Sequence, residues 1–84
     1  MYEVNCEQIL KTKVKYKNNQ FEISSIIVHS RHGMSFETMI FADDELKDPF
    51  EQYEERYDSK DKMLKRHKEI VKLFRENRAE EVLQ

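Results

Sequence analysis

The chain has 84 residues, a length that fits a single domain with a small core. Hydrophobic and charged residues each make up 38% of the sequence, so the chain is very polar, but five Phe and four Tyr can still nucleate a core. Its one glycine excludes a glycine-rich phosphate loop. No long apolar run occurs, so we expect neither a membrane-spanning helix nor a signal peptide. The single cysteine, Cys6, excludes an intramolecular disulfide, and we expect a cytoplasmic protein.

The first half of the sequence predicts an antiparallel meander. Lysine occupies every second position over residues 11–17, and this period of two is typical of a strand with one face in water. Two asparagines within residues 17–20 predict a turn, because asparagine tolerates positive φ. The β-branched and apolar residues 21–30 predict a central strand, and residues 35–41 predict a third strand after a turn around Gly33.

The second half of the sequence combines an acidic segment with a basic helix. Residues 43–61 contain nine acids and three bases, whereas residues 62–78 contain seven bases and two acids. Apolar residues recur at helical spacing after position 62, and either Asp58 or Ser59 can cap the start of that helix. The predicted organisation is a single domain with a β-meander over residues 1–42, an acidic connector over 43–57, a helix over 58–78 and a tail over 79–84.

Together these elements predict an α+β fold, an antiparallel three- to four-stranded meander with one C-terminal helix packed on one face. A single helix covers only one face of a sheet. The second face would then carry the apolar side chains of Ile26, Val28, Met39 and Phe41. An uncovered apolar face usually marks a partner surface, so we expect a partner protein, or a homodimer, to use it.

Glu37 and the histidines are the residues most suited to chemistry. A carboxylate buried within an apolar strand needs a partner, and we expect Arg56 to pair with Glu37, with a hydrogen bond from Tyr57 or His67. This cluster either ties the connector to the sheet or forms the floor of a pocket for a small anionic or nucleotide ligand. The residues of that alternative ligand site are His29, His32, Glu37, Arg56, Tyr57 and His67. We expect no metal and no cofactor, and His67 is interpreted as a packed residue of the helix stripe.

Charge patterning offers two further surfaces. The lysine-rich strand over residues 11–17 is either an edge strand protected from aggregation or a nucleic-acid-binding ribbon. The acidic connector can imitate a phosphate backbone and occupy a nucleic-acid groove on another protein. The residues predicted to bind that partner are Asp43, Asp44, Glu45, Asp48, Glu51, Glu54 and Glu55.

Several short motifs follow one another in the order found in one family of proteins. They are Ile26-Ile27-Val28-His29, His32-Gly33, Phe36-Glu37-Thr38-Met39-Ile40-Phe41, Arg56-Tyr57-Asp58-Ser59, and His67 with Val71. Through these motifs the chain resembles a family of small proteins encoded by tailed phages and prophages. Arg31 and Arg66 depart from the family pattern, which usually has Asp and Gly at those positions. The resemblance implies a phage setting and leaves the mechanism open.

From these observations we expect a non-enzymatic phage-type accessory protein, located in the cytoplasm of the host cell. It would bind and inhibit a host protein such as a defence or nucleic-acid-processing factor. Two alternatives stay open. One is a dimeric protein that sequesters a small anionic or nucleotide ligand, and the other is a nucleic-acid-binding module that uses Lys11, Lys13, Lys15 and Lys17.

Overall fold

The described part of the chain folds as one antiparallel sheet with a helix packed on it. The computed structural model describes residues 5–43 and 50–83. Within those ranges the elements are β1 (Asn5–Tyr16), β2 (Asn19–Ser30), β3 (Gly33–Asp43), β4 (Phe50–Tyr57), α1 (Lys60–Arg75) and a 3-10 turn at Ala79–Glu81. The strand order is β1-β2-β3-β4, neighbouring strands are antiparallel, and α1 contacts all four of them. The predicted α+β class, a meander with one C-terminal helix on one face, is confirmed.

Two tight turns connect the first three strands. Lys17 and Asn18, between β1 and β2, have φ angles of 52° and 69°, in the left-handed region that a two-residue hairpin requires. Gly33 begins β3 with a φ of 117°, a conformation that disfavours any side chain. Both turns predicted from the sequence are therefore confirmed, and they fix the register of the strands that they join.

β1 is longer than the strand predicted over residues 11–17. It pairs with β2 along its whole length, with one irregularity between Gln8 and Leu10. A bulge at this point shifts the alternation of inward and outward side chains by one residue. Residues 5–8 therefore do not continue the period of two set by the lysines, and the sequence pattern gave no clear strand there.

β4 corrects the prediction of an irregular connector over residues 43–57. Its backbone pairs with β3, and Arg56 lies opposite Glu37 in the register. Charged side chains lie on both faces of β4, so the sequence lacks the apolar alternation of a half-buried strand. β4 is an edge strand, where charged side chains oppose pairing with a strand of another chain. Residues 44–49 lie outside the described residues.

α1 is shorter than the helix predicted over residues 58–78, and local signals define both of its ends. The Ser59 hydroxyl accepts a hydrogen bond from the backbone N–H of Lys62 at 3.2 Å, so Ser59 is the cap. Just after the helix, Asn77 has a φ of 61°, a left-handed residue of the kind that stops helices. The predicted tail then folds back as the 3-10 turn, and Ala79 is buried.

The core lies between α1 and the sheet. Ile23 on β2 and Ile40 on β3 are fully buried beneath the helix. The ring of Phe74 packs against those of Tyr16 and Phe21, with centroid distances of 5.7 Å and 5.3 Å. Burying one such apolar side chain contributes about 1.5–3 kcal/mol, so these contacts hold α1 on this side of the sheet.

The other side of the sheet is not covered by any element within residues 5–43 and 50–83. Side chains alternate along a strand, so the neighbours of the inward-facing residues point away from α1. We call this surface the open face. It includes Lys11, Lys13 and Lys15 on β1, Glu22, Ser24, Ile26 and Val28 on β2, Ser35, Glu37, Met39 and Phe41 on β3, and Glu54 and Arg56 on β4. Its four apolar side chains are all partly exposed.

Candidate functional site

A network of hydrogen-bonded polar side chains crosses the core beneath α1. Nε2 of His67 lies 2.9 Å from Oγ1 of Thr12 on β1, and Nδ1 lies 2.7 Å from Oγ of Ser25 on β2. The Ser25 hydroxyl is in turn 2.6 Å from Oγ1 of Thr38 on β3. Burial lowers the pKa of His67 from its ordinary value of 6.5 to about 4. The ring is therefore neutral near pH 7, with one nitrogen donating and the other accepting.

This hydrogen-bonded network contains the residue types of a nucleophile and its base, but its side chains are enclosed in the core. Ser25 and Thr38 are fully buried, and only 1% of His67 is exposed. A substrate cannot reach the Ser25 hydroxyl while α1 covers the sheet, so the hydrogen bonds serve to join helix and sheet. The interpretation of His67 as a packed residue is confirmed, and its partners are hydroxyl groups of β1 and β2.

Glu37 lies on the open face and is held by two neighbours. The residue is 8% exposed, its Oε1 is 3.8 Å from Nε of Arg56, and the Ser35 hydroxyl donates to its Oε2 at 2.7 Å. The predicted pairing of Glu37 with Arg56 is confirmed. The predicted hydrogen bond from Tyr57 or His67 is wrong, because strand alternation places Tyr57 on the helix side of the sheet and His67 belongs to α1, which packs on that side. Ser35, two residues before Glu37 on the same face, supplies the hydrogen bond instead.

The six residues of the predicted ligand site therefore do not form one pocket. The sheet itself separates Glu37 and Arg56, on the open face, from Tyr57 and His67, on the helix side. The two remaining histidines lie at the end of β2 and in the turn that follows it. A site built from all six would need side chains from both faces of the same sheet, which the strand register does not allow.

The residues at that end of the sheet make local contacts. Nε2 of His29 is 3.3 Å from Oε2 of Glu7 on β1, and the backbone N–H of His32 donates to the Ser30 hydroxyl at 3.3 Å. Tyr57 lies on the helix side, and its buried hydroxyl has no hydrogen-bond partner within the described residues. Burial raises the pKa of Tyr57, so its hydroxyl stays protonated.

The acidic residues predicted to bind a partner are matched by cations where the structure describes their side chains. Oε1 of Glu54 is 3.3 Å from Nε of Arg56, on the open face. Glu55 lies on the helix side, where its Oε1 is 3.5 Å from Nε of Arg66 and it accepts a hydrogen bond from Tyr53. The other predicted acids have these places: Asp43 ends β3, Glu51 lies in β4, and Asp44, Glu45 and Asp48 lie outside the described residues. Imitation of a phosphate backbone by this segment stays a prediction.

The lysines of β1 form an exposed row along one edge of the sheet. Nζ of Lys11 is 2.7 Å from Oε1 of Glu22 on β2. Lys13 and Lys15 make no ion pair with any residue in 5–43 or 50–83. β1 is an edge strand of the sheet, and lysines on edge strands oppose edge-to-edge aggregation. The position therefore agrees with edge protection, and nucleic-acid binding by this strand stays a prediction.

A groove between β1 and α1 forms a second candidate surface, which we call the β1–α1 groove. It encloses about 410 Å³, a size in the range of small-ligand sites. Its lining consists of Leu10 and Thr12 from β1, and of His67, Lys68, Val71, Lys72, Arg75 and Glu76 from α1 and its cap. Sequence reasoning did not single out the three cations of this lining as a site. Their spacing of four and three residues, which puts them on one side of a helix, is the signal that could have found them.

Comparison with protein-family models, with curated proteins and with solved structures found no match to the chain. The structure thus defines the class as an α+β meander with one helix and one open sheet face, and the resemblance to phage proteins stays a prediction. Within the described ranges, no helix has the length and apolar character needed to span a bilayer. The same residues contain no cluster of three or more side chains arranged to hold a metal ion.

Proposed function

We propose that the protein is a non-enzymatic binding protein that holds another protein against the open face of its sheet. In the phage setting that the sequence implies, the partner is a host protein, and binding inhibits it by covering part of its surface. The observation that carries this proposal is the apolar patch on the open face, which no described element covers. A contiguous group of surface apolar side chains, unlike scattered single ones, is typical of an interaction site.

The centre of the open face is apolar and lies on the two central strands. Ile26 and Val28 come from β2, and Met39 and Phe41 come from β3, its hydrogen-bonded neighbour. Both strands are paired on each side, so the patch is held rigidly before any partner arrives. Removing it from water contributes about 25 cal/mol for each Å² of apolar area, which makes it the natural centre of an interface.

The charges around the patch indicate the chemistry of the partner. On the β4 side, Glu37 and Glu54 share the single cation of Arg56, so this side keeps one net negative charge. On the β1 side, Lys13 and Lys15 have no ion-pair partner among the residues described. A complementary protein presents an apolar patch bordered by carboxylates that meet these two lysines. An apolar centre favours a protein over a nucleic acid, because a phosphate backbone offers no apolar surface to cover it.

Capture with matched bait variants tests this proposal. The baits are the unchanged protein, Met39→Asp on the open face, and Met34→Asp as a control, since Met34 is 61% exposed and lies outside that face. We expect one protein that the unchanged bait and Met34→Asp capture from a nuclease-treated host lysate, and that Met39→Asp does not. We also expect the double variant Lys13→Glu/Lys15→Glu to weaken capture, with a larger effect at low salt.

Mass measurement of the complex purified from these baits separates the other outcomes. A complex of this chain with one different protein supports the proposal. Capture that survives Met39→Asp, or that disappears on nuclease treatment, contradicts it. A mass of two copies that Met39→Asp converts to one copy also contradicts it, because a second copy of the chain then occupies the open face.

A further inference from the structure

We infer that the β1–α1 groove is a binding site for a phosphate monoester that carries a flat apolar body, of the kind a nucleoside monophosphate presents. The groove lies between the edge of β1 and α1, whereas the open face lies on the other side of the sheet. The two proposals therefore depend on different residues, and either can fail without the other.

The cations of the groove match a doubly charged anion. Lys68, Lys72 and Arg75 are spaced four and three residues apart, so their side chains follow one side of α1. Glu76 is the one carboxylate of the described lining, and its Oε2 is 3.9 Å from Nζ of Lys72. Lys68 and Arg75 make no ion pair within residues 5–43 and 50–83. The lining thus keeps an excess of two positive charges, which suits a phosphate monoester better than a single carboxylate.

The floor of the groove is polar at one point and apolar beside it. Thr12 lines the groove, and its hydroxyl is hydrogen-bonded to Nε2 of His67, a side chain that is 1% exposed. The other ring nitrogen lies 2.7 Å from Oγ of Ser25, so both nitrogens of this imidazole are engaged by hydroxyl groups of the sheet. Leu10 and Val71 supply the apolar wall, against which a flat body can pack.

Ordinary helix electrostatics do not account for the whole arrangement. Lys72 and Arg75 lie in the last turn of α1, where cations stabilise the helix dipole. Lys68 lies about two turns before the helix end, beyond the reach of that effect. A solvated basic face also gives no reason for a cavity that combines cations with a buried, hydrogen-bonded imidazole.

Titration of the full ¹⁵N-labelled chain followed by NMR tests the inference. The probes are adenosine 5′-monophosphate, adenosine and inorganic phosphate. We expect the monophosphate to shift the amide signals of Thr12, Lys68 and Val71, and to bind at least about tenfold more tightly than either fragment. We expect Lys68→Glu/Arg75→Glu to weaken binding at least about tenfold, because a charge-assisted hydrogen bond has this strength.

Lys65→Glu is the matched control, since Lys65 is exposed on the same helix but does not line the groove. We expect it to keep binding within about twofold, as rim charges outside a site have small effects. The variant Lys68→Gln/Arg75→Gln removes the two charges without reversing them, so it disturbs the fold less, and it should also lose binding. The inference is overturned if the monophosphate does not bind at millimolar concentration, if phosphate alone binds equally well, or if Lys65→Glu weakens binding as much as the double variant.

Discussion

The Ser25 hydroxyl on β2 lies 2.7 Å from Nδ1 of His67 on α1 and joins sheet and helix in the middle of the core. Thr12 on β1 satisfies the other ring nitrogen at 2.9 Å, so both nitrogens of the buried imidazole have a partner. A neutral imidazole offers one donor and one acceptor, which two hydroxyl groups can meet in either tautomer. The hydrogen bonds therefore fix which side of α1 faces the sheet, a restriction that apolar packing alone enforces less strictly.

Replacement of this imidazole is the first prediction. His67→Ala leaves the Thr12 hydroxyl without the partner that it has in His67, leaves the Ser25 hydroxyl with Thr38 alone, and opens a cavity beneath α1. We expect the free energy of unfolding to fall by about 3 kcal/mol, measured by urea unfolding followed by circular dichroism. Lys65→Ala, an exposed neighbour on the same helix, is the control and should change it by less than about 0.5 kcal/mol. A loss below about 1 kcal/mol for His67→Ala would show that the helix does not depend on these hydrogen bonds.

Stability should also depend on pH through His67. Folding lowers the pKa of His67 from 6.5 to about 4, so between these values the unfolded chain binds a proton that the folded chain does not. The free energy of unfolding is therefore highest above pH 6.5 and falls as the pH decreases towards 4. Below pH 4 His67 causes no further change. The total loss is about 3 kcal/mol, at 1.36 kcal/mol for each pKa unit. Its ring partners are uncharged hydroxyls, so burial rather than a neighbouring charge sets the direction.

Urea unfolding between pH 7 and pH 4 measures this effect. Carboxylates also titrate near the lower limit, so the comparison is with His67→Gln, which keeps every other titratable group. The difference in unfolding free energy between the two proteins should shrink as the pH falls. Parallel curves for the two proteins over this interval would mean that the folded imidazole binds its proton as readily as the unfolded one.

Most of the fold could be predicted because its signals are local. The alternating lysines marked β1, and the asparagine and glycine turns marked the limits of β2 and β3. β4 was missed because its inward-facing side chains are not simple apolar residues. Glu55 is accommodated on the helix side by Arg66, a residue of α1 that a local pattern cannot connect with it. Hydrophobic periodicity cannot predict a charged strand whose side chains are paired with residues of a later element.

The candidate sites were less predictable because they depend on register and packing. The Glu37–Arg56 pair follows from the rule that a buried carboxylate needs a partner, which applies to the sequence alone. The division of the predicted ligand set between two faces follows from a difference of one residue, since Glu37 faces away from α1 and Thr38 faces it. The β1–α1 groove arises where two distant segments meet, and only their packing brings Thr12 to the cations of the helix.

The start of α1 gives a further prediction. Ser59→Ala removes the hydroxyl that accepts the Lys62 backbone N–H, so the unfolding free energy should fall by about 1 kcal/mol. Asp58→Ala is the informative control, because Asp58 makes an exposed ion pair with the Lys62 side chain at 2.9 Å and does not cap the helix. We expect a smaller loss for Asp58→Ala in the same urea experiment. A larger loss at Asp58 than at Ser59 would reverse the assignment of the cap.

Removal of the Arg56 guanidinium tests whether the ion pair with Glu37 holds β4 in the sheet. The Arg56 side chain is 72% exposed and its Nε is 3.8 Å from the Glu37 carboxylate, a geometry in which ion pairs contribute little. We therefore expect Arg56→Ala to lower the unfolding free energy by less than about 1 kcal/mol. Ile40→Ala, at a fully buried position opposite Tyr53 of β4, should cost about 2–5 kcal/mol. Hydrogen exchange of the β4 amides reports how often this strand opens in each variant. Faster exchange in Arg56→Ala than in Ile40→Ala would mean that the ion pair, and not apolar packing, keeps β4 in the sheet.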